Sequence, residues 1–224
     1  MTTTKSPRHE GTAKRKSVVR EWVESILIAL LLAAVIRAYF IQPFKIPSGS
    51  MRMTLIEGDH LFVNKLRYGP NLLPEIHSPD FLLPYFDIQW PDVLKPLIKI
   101  RLPGFGQPQR GDIIVFIYPG DRTKDFIKRL IALPGETVEI KDGKIYIDGR
   151  LFDDPRNRNV YYYNRGDYGK AGGAITVPAG HYFVMGDNSA SSHDSRYWGF
   201  VPAEDVVGKA EVIFWPFDRV RFIR

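Results

Sequence analysis

The chain of 224 residues contains no cysteine. That removes disulfides, a thiol nucleophile and cysteine-held metal, and it suits an oxidising compartment as well as a reducing one. Histidine is scarce: His9, His60, His77, His181 and His193 include no pair at helix-face spacing such as H-E-x-x-H. No metal and no cofactor is therefore expected. A basic body is missing too. The net charge is +6, but residues 1–20 carry +5 of it, residues 21–41 carry −1, and only +2 is left for the rest. A nearly neutral body behind a basic tail is not the footprint of a phosphate-backbone binder, so no nucleic acid is expected as a partner. No internal repeat is evident.

One long apolar run is present. "WVESILIALLLAAVIRAYFI", 22–41, is interrupted only by Glu24, Ser25 and Arg37. Twenty helical residues reach about 30 Å, the thickness of a bilayer core. Charged residues near its ends can reach the interfaces, and Trp22 and Tyr39 suit the interfacial belts. The basic tail orients such a helix with its N-terminus inside. The alternatives are a cleaved signal peptide and a buried core helix. A signal peptide has a shorter apolar region ending at small residues, whereas this run ends in "VIRAYFIQPF".

Beyond Pro43, short β-branched or aromatic runs alternate with glycine and proline: "HLFVNKL" (60–66), "DIIVFIY" (112–118), "DFIKRLIAL" (125–133), "TVEI" (137–140), "KIYI" (144–147), "HYFVM" (181–185) and "AEVIFW" (210–215). Asp142-Gly143 between two of them predicts a type I′ hairpin. The expectation is a mainly β domain. Residues 70–108, rich in proline, leucine and aromatics, read either as an apolar flap on a membrane or as packed core and loop. Residues 150–175 are polar around Tyr161, Tyr162 and Tyr163.

Three stretches carry possible chemistry. In "IPSGSM" (46–51), Ser50 lies nine residues past the apolar run, at most about 30 Å of extended chain. Most serines after glycine are turn formers. In "DFIKRLIAL", strand alternation places Lys128 with Phe126, Leu130 and Ala132, and Arg129 with Ile127, Ile131 and Leu133. If these faces are buried, the lysine can lose its proton, whereas the arginine stays charged and needs a carboxylate. An edge strand with both heads in water is the alternative. In "GDNSASSHDSRYWGFVP" (186–202), Asp187 or Asp194 can pair with Arg196 or Arg129, and His193 beside Asp194 is the suspect for a Ser-His-Asp triad.

Together, "PFKIPSGSM", "GDHLFVNKLRYG", "RGDIIVFIYP", "FIKRLIALPGE" and "GDNSASSHDSRYWGFVP" follow an N-terminal anchor and resemble, block by block, the bacterial type I signal peptidases. These are membrane-bound Ser-Lys proteases that remove signal peptides from exported preproteins. The resemblance covers roughly 20–69, 110–149 and 181–216. It implies a signal-peptidase-like β-sandwich or barrel with a small inserted region and one transmembrane helix. The division is a basic cytoplasmic tail (1–20), the membrane helix (21–41) and a catalytic domain (42–224) on the outer side of the bacterial inner membrane, with less typical segments at 70–108 and 150–175.

By the same resemblance Ser50 is the nucleophile and Lys128 the general base. Ser48 and the Ser50 N–H form the oxyanion hole, Ser192 orients the lysine amine, and Arg129, Asp187, Asp194 and Arg196 form a supporting ionic network. Pockets for small residues at −1 and −3 of the preprotein map onto Phe44, Ile46, Met51, Leu55, Leu61, Val115, Phe126 and Ile127. The partners implied are preproteins and the lipid bilayer. Two departures stand out. Met53 replaces the usual proline of S-M-x-P-T-L, and Ser189 and Ala190 replace the charged residues often found after "GDN". A self-cleaving repressor with a Ser-Lys dyad is disfavoured by residues 1–41. A membrane-anchored, non-catalytic β-domain that binds peptides or envelope proteins is the rival from another class.

Overall fold

The computed structural model describes residues 18–72, 100–155 and 158–223. The tail 1–17 and the larger part of the 70–108 segment, where the apolar flap is expected, lie outside the described residues. The chain divides into one unit ending at Val35 and a second running from Ile36.

Helix α1 spans Val18–Tyr39 with no glycine or proline. Glu21 in its first turn and Arg37 in its last complement the helix dipole. Its leucines, isoleucines and Trp22 are exposed around the helix. By length and hydropathy together, no helix among the described residues is long and apolar enough to cross a membrane. The uninterrupted apolar stretch of α1 is 26–36. The boundary also differs from the expected 21–41, because Ile41 already belongs to a strand.

The second unit is mainly β, as expected. Its strands are β1 Ile41–Lys45, β2 His60–Asn64, β3 Ile113–Ile117, β4 Asp125–Ala132, β5 Thr137–Lys141, β6 Lys144–Ile147, β7 Arg150–Leu151, β8 Ile175–Thr176, β9 His181–Met185, β10 Val201–Pro202, β11 Val206–Trp215 and β12 Arg221–Phe222. The larger sheet runs β1-β2-β11-β3-β4-β9-β10, with β12 also on β11. Its pairings are antiparallel. The smaller sheet runs β7-β6-β5-β8. Asp142 and Gly143 have φ of 51° and 73°, as the I′ hairpin requires, and Asp148-Gly149 repeats the device at 49° and 75°.

The near-continuous apolar runs mark strands buried on both faces. In β3, Ile113 and Val115 enter one cluster with Ile46, Met51, Leu55, Leu61 and Ile127. Ile114 and Phe116 enter another with Leu130, Val184 and Val206. A third cluster fills the space between the sheets, joining Phe183 and Met185 of β9 to Val138, Ile140, Ile145 and Ile147. Tyr162 is buried there, whereas Tyr161 and Tyr163 are exposed. Strict alternation in β4 fails at one point. A register shift between Leu130 and Ala132 sends Ala132 into the cluster of Ile131 rather than that of Leu130, as a bulge does.

Candidate active site

Ser50 sits in a single 3₁₀ turn, Gly49–Met51, entered from Ser48 in extended backbone. The turn is closed by backbone bonds from Arg52 N–H to the Gly49 carbonyl (3.1 Å) and from Thr54 and Leu55 N–H to the Met51 carbonyl (2.8 and 2.7 Å). The turn therefore forms without the proline that Met53 replaces. Met51 is wholly buried and anchors it in the first cluster. Met53 is exposed.

Lys128 lies mid-strand in β4 and is 4% exposed. Burial of both faces excludes the edge-strand alternative. Its Nζ donates to Ser50 Oγ at 2.8 Å and to the Ile127 carbonyl at 3.0 Å, and it lies 5.2 Å from the centre of the Phe126 ring. Desolvation lowers its pKa to about 8, with Asp194 and then Asp187 pushing back upward. An amine so placed is partly neutral near physiological pH and can accept the hydroxyl proton.

The two buried ion pairs sort themselves. Arg129 holds Asp187 in a fork, Nε to Oδ1 at 2.8 Å and Nη2 to Oδ2 at 2.6 Å, while Nη1 donates to the Gly111 carbonyl at 2.7 Å. Thr54 Oγ1 donates to Asp187 Oδ2 at 2.5 Å. Arg196 pairs with Asp194, Nε to Oδ1 at 2.8 Å and Nη2 to Oδ2 at 2.9 Å. Asp194 also accepts the Gly186 N–H at 3.0 Å and caps helix α2, Ser195–Trp198. Asp194 is thus committed, and His193 meets Tyr118 and Tyr197 instead of Ser50. The Ser-His-Asp alternative has no geometry behind it.

Ser192 is 4% exposed, and its Oγ has no hydrogen-bond partner among the described residues. It lies beside Ser50 without bonding to it: a Cβ on Gly186 would fall 2.2 Å from Ser192 Oγ and 2.5 Å from the Ser50 carbonyl oxygen. Position 186 must be glycine for the 186–192 loop to press this closely on the turn that carries Ser50. Ser48 is exposed, and its hydroxyl makes no capping bond. Of the expected pocket residues, Ile46, Met51, Leu55, Leu61, Val115 and Ile127 share one buried cluster with Phe44 packed against it. Phe126 stands apart, packed on the Phe116 cluster and stacked on Tyr118 at 4.3 Å. No group of residues able to hold a metal is found among the described residues.

Residue-by-residue reading gave no role to Thr54, Gly186 or Asn188. Asn188 N–H donates to the Ser50 carbonyl at 2.9 Å and its Nδ2 to the Gly49 carbonyl at 2.8 Å. Gly186 and Asn188 lie inside the quoted motifs and Thr54 just outside them, but Thr54 meets Asp187, and Gly186 and Asn188 meet the 49–50 turn, across more than 130 residues of chain, and nothing local signals such contacts.

The family model "Signal peptidase, peptidase S26" matches residues 19–215. Signal peptidase I of Pseudomonas aeruginosa is 32% identical, over 90% of this chain and 75% of that protein. Signal peptidase I T of Bacillus subtilis is 33% identical over 99% and 98%. A crystal structure of a signal peptidase I from Enterococcus faecalis is 40% identical over 46% of this chain and 96% of that one, with a TM-score of 0.39. With the family model spanning nearly the whole chain and relatives matched over most of their length, this chain belongs to the signal peptidase family, peptidase S26.

Proposed function

We propose that Ser50 and Lys128 are the catalytic dyad of this serine endopeptidase, which removes N-terminal signal peptides from exported preproteins. The observation that carries the assignment is the 2.8 Å contact of Lys128 Nζ with Ser50 Oγ in surroundings that depress the amine pKa to about 8. Neutral Lys128 takes the Ser50 proton as Oγ adds to the scissile carbonyl. The Ser50 N–H and the Ser48 hydroxyl receive the oxyanion, and the ammonium returns its proton to the departing amine. Water, activated by the same amine, then hydrolyses the acyl-enzyme. Ser192 turns its free hydroxyl to the lysine when substrate excludes water from the site.

The substrate binds extended, as an added strand. Small residues at −1 and −3 enter against the cluster of Ile46, Met51, Leu55, Leu61, Val115 and Ile127, where tight packing leaves no room for large side chains. Incubating purified protein in detergent with a preprotein tests the assignment. Cleavage after the small residue at −1, lost in Ser50→Ala and in Lys128→Ala, is expected. Retention of cleavage in either variant overturns it, and absence of cleavage by the unaltered chain would favour the non-catalytic peptide-binding domain.

Helix α1 is the proposed single-pass membrane anchor, with the tail on the cytoplasmic side and the catalytic domain on the outer side of the bacterial inner membrane. Its 22 residues reach about 33 Å. Crossing relies on its charged residues reaching the interfaces: Glu24 is neutralised by Arg20 at 2.8 Å, and Arg37 lies in the last turn. An apolar surface on every side of a helix supports immersion in lipid. The test is alkaline carbonate extraction of membranes: retention in the pellet, lost when residues 1–35 are deleted, is expected. Release of the full chain refutes the anchor.

A further inference from the structure

We infer that Asn188 is a positioning residue for the oxyanion hole, one that sets the direction of the Ser50 backbone N–H. The inference rests on the reading of Ser50 as nucleophile. A peptide unit is planar and trans, so its C=O and N–H point in opposite directions and turn together. The Gly49 carbonyl and the Ser50 N–H belong to one such unit. Whatever holds that carbonyl also aims the N–H.

Two donors hold it: the Arg52 N–H at 3.1 Å, from within the turn, and Asn188 Nδ2 at 2.8 Å, from the facing loop. The next peptide unit, Ser50–Met51, is held at its carbonyl by the Asn188 N–H at 2.9 Å. One residue therefore brackets Ser50 on both sides, fixing the two planes that determine where its N–H and its Cβ–Oγ bond point. Donation into the Gly49 carbonyl also polarises that amide and strengthens its N–H as a donor. A single 3₁₀ turn has only weak intrinsic rigidity, so this outside support has mechanical consequence.

Asn188 is itself held in place. On its N-terminal side Asp187 is locked by Arg129 and Thr54. On its C-terminal side the Ser189 hydroxyl accepts from Arg196 at 2.9 Å and the Ser189 carbonyl from Arg196 Nη2 at 2.9 Å. Arg165 donates to the Ala190 carbonyl at 2.7 Å. The clamp thus belongs to a braced loop, and Asn188 carries the bracing to the reacting turn.

The test uses the full chain in detergent with Asn188→Ala and Asn188→Asp. Both keep the backbone bond to Ser50, and both lose the side-chain donor to Gly49. The aspartate places an oxygen against the carbonyl at unchanged size. Loss of a whole oxyanion donor costs about 10²- to 10³-fold, so misdirecting one is expected to lower kcat about 10- to 100-fold in the alanine variant and at least as far in the aspartate variant. KM should stay within about twofold. Affinity for a peptide aldehyde, whose hemiacetal with Ser50 forms the same oxyanion, should fall by the factor lost from kcat. In the alanine variant the kcat/KM midpoint near pH 8 should not move, because Lys128 is untouched and no charge is added.

A loss seen in KM, a midpoint displaced in the alanine variant, or unchanged aldehyde affinity would show general loosening of the site and overturn the inference. So would normal kcat in either variant. Should the alanine variant not fold, the isosteric aspartate decides. If Ser50→Ala retains cleavage, the dyad assignment itself has failed. If Ser50→Ala is inactive and the Asn188 variants are normal, only the clamp has.

Discussion

Replacing Lys128 by methionine connects catalysis to stability through one quantity. The amine is 4% exposed and its pKa falls from 10.5 to about 8 because burial disfavours the charge. At neutral pH about one amine in ten is then neutral, against about one in three thousand for an ordinary lysine, a gain of roughly 300-fold in usable base. The dependence of kcat/KM on pH should accordingly rise with unit slope and level off above about pH 8, reporting the free enzyme. The same shift sets a stability slope. Between about pH 8 and about pH 10.5 the unfolded chain keeps a proton that the folded chain has lost, so stability increases with pH across that window by about 1.4 kcal/mol per unit. Below about pH 8 the full cost of about 3 kcal/mol is present. Methionine has similar length and no proton to lose. The stability of Lys128→Met relative to the unaltered protein should therefore fall by about 2–3 kcal/mol between neutral pH and about pH 10, read from urea midpoints. Lys65, also depressed to about 8 by burial, titrates in both proteins and drops out of the difference. A stability difference that is flat with pH, or a kinetic midpoint near 10, refutes the desolvated-base argument. Because both measurements address the substrate-free enzyme, they must also agree with each other.

Ser48→Ala should lower kcat about 10²- to 10³-fold with little change in KM, leaving a remainder that Ser50→Ala does not have. Gly186→Ala should inactivate the enzyme in a preprotein cleavage assay, since the added methyl would meet Ser192 Oγ at 2.2 Å and the Ser50 carbonyl oxygen at 2.5 Å. Asp187→Asn leaves Arg129 charged and wholly buried, and should cost about 3–5 kcal/mol in urea denaturation. Ser192→Ala removes a buried hydroxyl that has no partner among the described residues, so stability should hold or rise slightly while kcat falls. A stability loss there would show that the hydroxyl is already bonded in the free enzyme.

The longer strands, though not their order in the sheets, were legible because strands buried on both faces need unbroken apolar residues, and those runs stand out between glycine and proline. The proposed dyad was legible only through the resemblance: the strand pattern alone left Lys128 and Arg129 open between burial and an edge strand with both heads in water, and the structure buries both. The choice of carboxylate for each arginine was not legible. Asp187 and Asp194 are equivalent in composition, and only the fork from Arg129 across to Asp187 and the helix-capping position of Asp194 distinguish them. Strand alternation likewise misplaced Ala132, because a bulge depends on the partner strand rather than on the residues it displaces.

The departures from the family's pattern show how backbone groups can stand in for side chains. Charged residues after "GDN" would tie the loop by ion pairs. With Ser189 and Ala190 there, Arg196 and Arg165 donate instead to the Ser189 hydroxyl and to the Ser189 and Ala190 carbonyls. Arg165 belongs to the 150–175 segment, as does Tyr163, whose carbonyl accepts from Arg196 at 2.8 Å and whose N–H donates to the Ser189 hydroxyl at 3.0 Å. A segment outside the blocks that carry the resemblance thus braces one of those blocks. The consequence is testable: Arg165→Ala should weaken catalysis through the loop it steadies, by less than about tenfold, since one hydrogen bond from an exposed arginine contributes only about 1–1.5 kcal/mol. The loss should appear in kcat and be smaller when Asn188→Ala has already removed the loop's side-chain bond to Gly49, because a brace has less effect when one of the contacts that carries it is no longer made.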